Sequence, residues 1–259
     1  MSTDDAAFLA ALPGWSFAFV LVLARVSATV MLLPGLGETE VPTTVRAGLA
    51  VGLTLVILPL VIERLPSVPE GGLSALLLVV AEVGVGLWLG WLARMLVLAL
   101  PMAGQLVAGV VGLANVIQPD AVLGPQNSAL GRLFALAAPV AIMASGLHML
   151  PLAGLEGSYH VLPPGLALPH DAVVQSVVAA VSGSFALALR LAAPFILAAI
   201  VWNLALGVLS RLVPQLQIYF AALPAQILGG LLLLGLLVGG AVATWLAAVR
   251  AGFSVLPGL

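Results

Sequence analysis

The chain contains no cysteine and no lysine, and only 7% of its 259 residues carry charge. Without cysteine there is neither a disulfide framework nor a thiolate metal site. Soluble domains run near 25% charged residues, so this charge poverty excludes a water-soluble globular enzyme. Eight arginines face ten acidic residues for a net charge of −2, spread along the chain. Electrostatic binding of nucleic acid needs clustered positive charge and is excluded too. The three histidines, His148, His160 and His170, are too scattered for a metal site. There is no Gly-x-Ser-x-Gly nucleophile elbow and no phosphate-cradling glycine loop. No catalytic residue, cofactor or metal is expected, and the chain does not read as an enzyme.

What is present is grease, glycine and proline. Hydrophobic residues make up 63% of the chain, the mean hydropathy is +1.25, and there are 28 Gly and 18 Pro. Both are tolerated in membrane helices, where neighbours re-satisfy the backbone. The opening residues carry Asp4 and Asp5 and no basic residue, so a cleaved secretory signal is not expected. Apolar runs cover Trp15–Leu33, Ala47–Ile62, Leu73–Leu100, Leu133–Leu150, Val173–Leu209 and Ile218–Val249. Runs this long, without strict alternation, predict helices rather than a membrane barrel. A helix over 173–209 would measure roughly 55 Å, at about 1.5 Å per residue, against a hydrocarbon core about 30 Å thick. Such helices must tilt and kink, or lie partly outside the bilayer against protein; the recurrence of Gly and Pro favours the second.

Two segments interrupt the pattern. Pro101 is expected to end the third run, and 102–127 combines Gly104, Gly109, Gly112 and Gly124 with Pro119 and Pro125. It is too broken for one spanning helix. At membrane depth, non-helical backbone is tolerated only where it lines a cavity or is buried in protein. The segment therefore reads either as a pore loop or plug, or as a re-entrant or surface connector. The second interruption, 151–171, holds four prolines and reads as a loop.

Arg25, Glu82, Arg94, Arg132 and Arg190 lie within or beside apolar runs. Each must face a partner, a cavity or a route to water. They read either as an ion pathway, or as structural ion pairs between subunits or charges snorkelling at helix ends. Glu82 and Arg94 are twelve residues apart, about 120° around a helix, so they do not share a face. Three Gly-x-x-x-Gly pairs, Gly48/Gly52, Gly86/Gly90 and Gly235/Gly239, permit close helix approach, but about three are expected by chance at this glycine content.

The ordered set of residues resembles a known family. Its pieces are Arg25 with Pro34-Gly35-Leu36-Gly37, then Val41-Pro42-Thr43-Thr44-Val45-Arg46-Ala47-Gly48, and Gly104-Gln105 through Gly112-Leu113-Ala114 to Pro119-Asp120. Gly146-Leu147-His148 and Gly157-Ser158-Tyr159-His160 follow, and the run Asn203-Leu204-Ala205-Leu206-Gly207 through Arg211, Pro214 and Gln215 to Tyr219-Phe220 is the most specific. Together they resemble the flagellar biosynthetic FliR family, the R-type (SctT-like) subunit of the bacterial type III export gate, over nearly the whole chain. Val111-Gly112-Leu113 stands where the family usually has Met-Gly-Leu, Gln118-Pro119-Asp120 where it has Asp-Pro, and Gln217 where it has Asn.

The resemblance implies an all-α integral membrane protein of long helical hairpins, part of a helical assembly in the inner membrane and flagellar basal body. Residues 1–170 would be P-subunit-like and 171–259 a Q-subunit-like hairpin. The implied partners are P-type and Q-type subunits (FliP-like and FliQ-like), FlhB-like and FlhA-like export proteins, and unfolded export substrates. The implied plug carries Gly104, Gln105, Gly109, Gly112, Leu113, Ala114 and Asn115, with Val107, Val110, Val111, Val116 and Ile117 supplying an apolar, water-excluding surface. Arg211, Pro214 and Gln215 would form the turn of the hairpin. A multi-spanning small-molecule or ion-coupled permease is the competing reading; it predicts an internal repeat, and the middle segment has no counterpart in the second half.

Overall fold

The computed structural model describes residues 3–113, 128–166, 169–212 and 218–259. Among these, seven α-helices occur: α1 (Thr3–Leu32), α2 (Thr43–Val61), α3 (Gly72–Val111), α4 (Ala129–Ala144), α5 (Met149–Val161), α6 (His170–Leu212) and α7 (Ile218–Phe253). The described part is helical with short connections and no strand, as the sequence predicts. Five helices are long and apolar enough to cross a membrane, and α4 with α5 counts as a sixth if that pair, bent by 71°, is one span. This is a multi-pass membrane protein. At 40 and 43 residues, α3 and α6 measure roughly 60 Å or more, about twice the hydrocarbon thickness.

Two expected interruptions begin later than the sequence suggests. Pro101 lies inside α3, and the helix runs ten residues beyond it, so the broken segment begins after Val111 and not at residue 102. A proline removes one helical hydrogen bond, which a surrounding bundle can offset. Pro151 lies in the first turn of α5, where backbone N–H groups have no intrahelical acceptor and a missing one costs little. The expected loop over 151–171 is therefore helical as far as Val161. The bend between α4 and α5 is placed by Gly146, whose φ of 71° is open to glycine.

The chain divides into two compact units. The first comprises Met1–Met95, Ile142–Ala180 and Ala251–Leu259. Its core is a stripe of α1 (Ala18, Val22, Val26, Val30) packed with Ile57, Leu58 and Val61 of α2, Val85 and Leu89 of α3, and Leu155 and Tyr159 of α5. The four-residue spacing on α1 puts these side chains on one face. One of the three Gly-x-x-x-Gly pairs does structural duty here. A Cβ on Gly86 would run into the Arg25 carbonyl and stand 2.8 Å from the Ala28 side chain. One on Gly90 would stand 2.8 Å from both Leu32 and the Thr29 carbonyl. So α1 and α3 cross backbone to backbone, and Thr29 Oγ1 donates across the crossing to Gly86 O at 3.1 Å. Gly48, Gly52, Gly235 and Gly239 face open space.

At the same crossing lies a buried charge centre. Arg25 is 0% and Glu82 1% exposed. Arg25 Nε donates to Glu82 Oε2 at 2.7 Å and Nη2 to Oε1 at 3.0 Å, a bidentate pair. Nη1 donates to Ser158 Oγ at 3.1 Å, Nη2 also donates to Leu162 O at 3.0 Å, and the guanidinium lies 4.0 Å from the Tyr159 ring centroid. Arg25 and Glu82 are thus paired structurally, within the chain rather than between subunits as expected. Arg94 pairs with Glu38 at 3.3 Å and donates to Leu32 O at 3.4 Å, holding the end of α1.

A buried pair costs most when halved, because the survivor is left uncompensated; the loss is about 3–5 kcal/mol. Glu82→Gln and Arg25→Met are each expected to lower the thermal stability of the detergent-solubilised protein by an amount of that order. The double substitution Arg25→Met with Glu82→Met is expected to recover much of it. Losses that simply add in the double variant would show that the two groups are not coupled.

Candidate functional site

The second unit comprises Leu96–Ala141 and Val181–Arg250, and it contains the described part of the strip expected to form a plug. Residues 104–111 form the last turns of α3, and Gly112 follows at φ 87°. Ala114, Asn115, Val116 and Ile117 lie outside the described residues, as do Pro214 and Gln215. Arg211 is exposed in the last turn of α6.

The residues of α3 divide by face. Val107 and Val111 are 2% and 6% exposed and belong to this unit's interior. Val110, Gly112 and Leu113 are half-buried, while Leu106 and Gly109 are exposed. An apolar surface offered outward here therefore consists of Leu106, Val110 and Leu113 rather than the whole expected set.

Two anchors join α3 to the start of α4. Gly104 lies where α3 meets α4: a Cβ there would stand 2.8 Å from Phe134 and 3.1 Å from the Gly131 backbone. One residue on, Gln105 Oε1 accepts from Ser128 N at 3.0 Å. Ser128 is itself the N-cap of α4, its Oγ accepting from Gly131 N at 3.0 Å. In a capping box the third helical residue, a Glu or Gln, reaches back to the N-cap N–H. Here that position is Gly131, and Gln105 supplies the acceptor from another helix. A Cβ on Gly131 would stand 2.5 Å from the Gln105 amide nitrogen, so any other residue there would displace the Gln105 side chain. Residue 105, within the strip, and residue 128, beyond it, are thereby tied together.

A third anchor comes from α7. Gln226 Nε2 donates to Val110 O at 3.0 Å, one of the last carbonyls of α3, which have no acceptor role within the helix. One turn along α7, Gly230 receives the Val111 side chain so closely that any Cβ would overlap its methyls. Beside these contacts lies an apolar cavity of about 290 Å³, lined by Val110, Val111, Phe195, Trp202, Gln226 and Gly229 among others. Neither Ser128 nor Gln226 stands out in the sequence, because each acts on a residue more than twenty positions away. Among the described residues, no three His, Asp or Glu side chains are grouped to hold a metal ion.

Comparison with known proteins assigns the family. The sequence pattern of the bacterial export proteins, family 1, matches residues 16–251. The chain belongs to this family. It is 33% identical over 227 residues to the flagellar biosynthetic protein FliR of Caulobacter vibrioides, covering 87% of this chain and 90% of that relative. It is 30% identical over 215 residues to FliR of Bacillus subtilis, covering 81% and 82% of the two. Similarity extends to the secretion system apparatus protein SsaT of Salmonella typhimurium, 29% identical over 215 residues. Bacterial export protein family membership thus spans the helices of both units and the strip.

The reciprocal capping at Gln105 makes a specific demand. Gln105→Leu, which keeps the bulk and removes the acceptor, is expected to speed hydrogen exchange at Ser128 and in the first turn of α4 while leaving α1 unchanged. A cap of this kind contributes about 1 kcal/mol, so exchange at those amides rises roughly fivefold. Unaltered exchange at Ser128 would show that the N-cap is held by other means.

Proposed function

We propose that this export-family subunit forms part of the entrance channel of the bacterial type III export gate, in the flagellar basal body of the inner membrane, and that the strip 104–117 plugs it. The observation that carries the reading is the family match over residues 16–251, with relatives named for flagellar biosynthesis and for a secretion apparatus. Export is the activity that the family description names.

Two physical features support a place among sister subunits. Arg190 lies near the middle of the 43-residue α6 and is exposed. A charge facing lipid at the bilayer centre costs about 2.5–3.5 kcal/mol on insertion scales, so the middle of α6 is better placed against protein or water. The apolar faces are also bare, with Leu232 and Leu236 of α7 at 68% and 79% exposure. P-type and Q-type subunits and lipid share the task of covering them, with FlhB-like and FlhA-like proteins nearby. In this reading residues 1–170 are the P-like part and 171–259 the Q-like hairpin, its turn made by Arg211, Pro214 and Gln215. That division concerns kinship with other subunits, which compactness within one chain does not address.

A plug must stop ions yet yield to an unfolded polypeptide. A narrow apolar constriction does the first by excluding water; Leu106, Val110 and Leu113, continued by Val116 and Ile117, supply it. Gly112 supplies the change of direction, its φ of 87° being a conformation that costs other residues about 1–2 kcal/mol.

Three measurements test the reading. The chain is expected to co-purify with P-type and Q-type subunits in one complex; isolation as a lone homo-oligomer would favour a permease. Removal of residues 114–118 is expected to raise ion leak through the assembled gate. Gly112→Val is expected to reduce export and motility several-fold at normal complex levels, and full motility in that variant would contradict the role given to Gly112.

A further inference from the structure

The contacts of α7 with the end of α3 go beyond packing. A helix that ends in apolar surroundings leaves its last carbonyls without donor partners, and water is not at hand to serve them. In α3 one of these, Val110 O, is served by Gln226 Nε2 at 3.0 Å. The same amide stands 3.7 Å from where a Cβ on Gly112 would be. Gln226 and Gly230 are four residues apart, on one face of α7. The first binds the backbone of Val110 and the second admits the side chain of Val111, so this face grips two consecutive residues. Both immediately precede the glycine at which α3 stops. The adjoining cavity of about 290 Å³ gives the Val111 side chain room to move if the grip is loosened.

We propose that Gln226 and Gly230 are positioning residues for the gate: α7 holds the last turn of α3, the helical part of the strip 104–117, and so sets where the strip leaves the helix at Gly112. The inference rests on the plug reading above and adds a specific dependence to it. The seal contributed by one part of the chain is held in register by two residues more than a hundred positions later. The grip is neutral and small, one amide hydrogen bond and one absent Cβ, so it fixes a position without locking it as an ion pair would.

The test uses the full chain within its assembled complex, in cells, with ion leak and the yield of purified complex measured side by side. Four variants are compared with the natural chain: Gln226→Leu, Gly230→Ala, Gly230→Ala with Val111→Ala, and removal of residues 114–118. Gln226→Leu and Gly230→Ala are expected to leak several-fold more than the natural chain at unchanged complex yield. Adding Val111→Ala, which removes the methyls that a residue-230 Cβ would meet, is expected to bring the leak of Gly230→Ala back down. Natural leak in both single variants, while the deletion leaks, would overturn the positioning role and leave the plug standing. No leak in the deletion would overturn the plug reading and this inference with it. If Gly230→Ala lowers complex yield, Gln226→Leu decides alone. If that variant also lowers yield without leak, the contact is structural only and the inference fails.

Discussion

A backbone group at a helix end cannot be left bare in an apolar environment, and this chain has few polar side chains with which to satisfy it. Water would serve a soluble protein; lipid and greasy neighbours do not. The structure answers with side chains sent from one helix to the end of another. Arg94 of α3 donates to Leu32 O at the end of α1, and Arg25 of α1 donates to Leu162 O just past α5. Gln105 of α3 accepts from Ser128 N before α4, and Gln226 of α7 donates to Val110 O at the end of α3. Each contact satisfies a terminus and ties two elements together. A chain with 7% charged residues can thus be specific, because its scarce polar groups sit where the backbone needs them.

How much of this was legible in the sequence follows from the range of each interaction. Helix class, the greasy runs and the excess of helix length over bilayer thickness are properties of local composition, and they were readable. That Arg25 and Glu82 needed partners was also readable from the cost of a lone charge. That they were partners of each other was not, because they are 57 positions apart and no periodicity links residues on different helices. The glycine pairs make the same point. Gly48/Gly52, Gly86/Gly90 and Gly235/Gly239 are identical as motifs, yet only the second lies at a backbone crossing, and the difference lies in what stands opposite. Pro101 and Pro151 were misread for a related reason. A proline's cost depends on whether its helix has support and on which turn it occupies, and neither is written in the dipeptide around it. At the strip, the resemblance to an export family pointed to residues 104–117, but the residues that hold its near end, Ser128, Gln226 and Gly230, carried no local signal.

The two units differ in the chemistry that holds them. The first is closed by a bidentate ion pair, charged hydrogen bonds to Ser158 and Leu162, and an aromatic face, all around Arg25. Charge-assisted bonds of this kind are about twice as strong as neutral ones, and disrupting one partner is severe. The contacts named at the strip in the second unit are neutral: an amide to a carbonyl, an amide to an N–H, and glycines that admit a neighbour. Each of the two hydrogen bonds is worth about 1 kcal/mol. Elements that must move are drawn from the less stable parts of a structure. Under the proposed plug reading, the charges are placed as such a division of labour requires. The ion pair lies at a helix crossing that would stay closed, and the weaker amide contacts lie beside the strip that we propose yields.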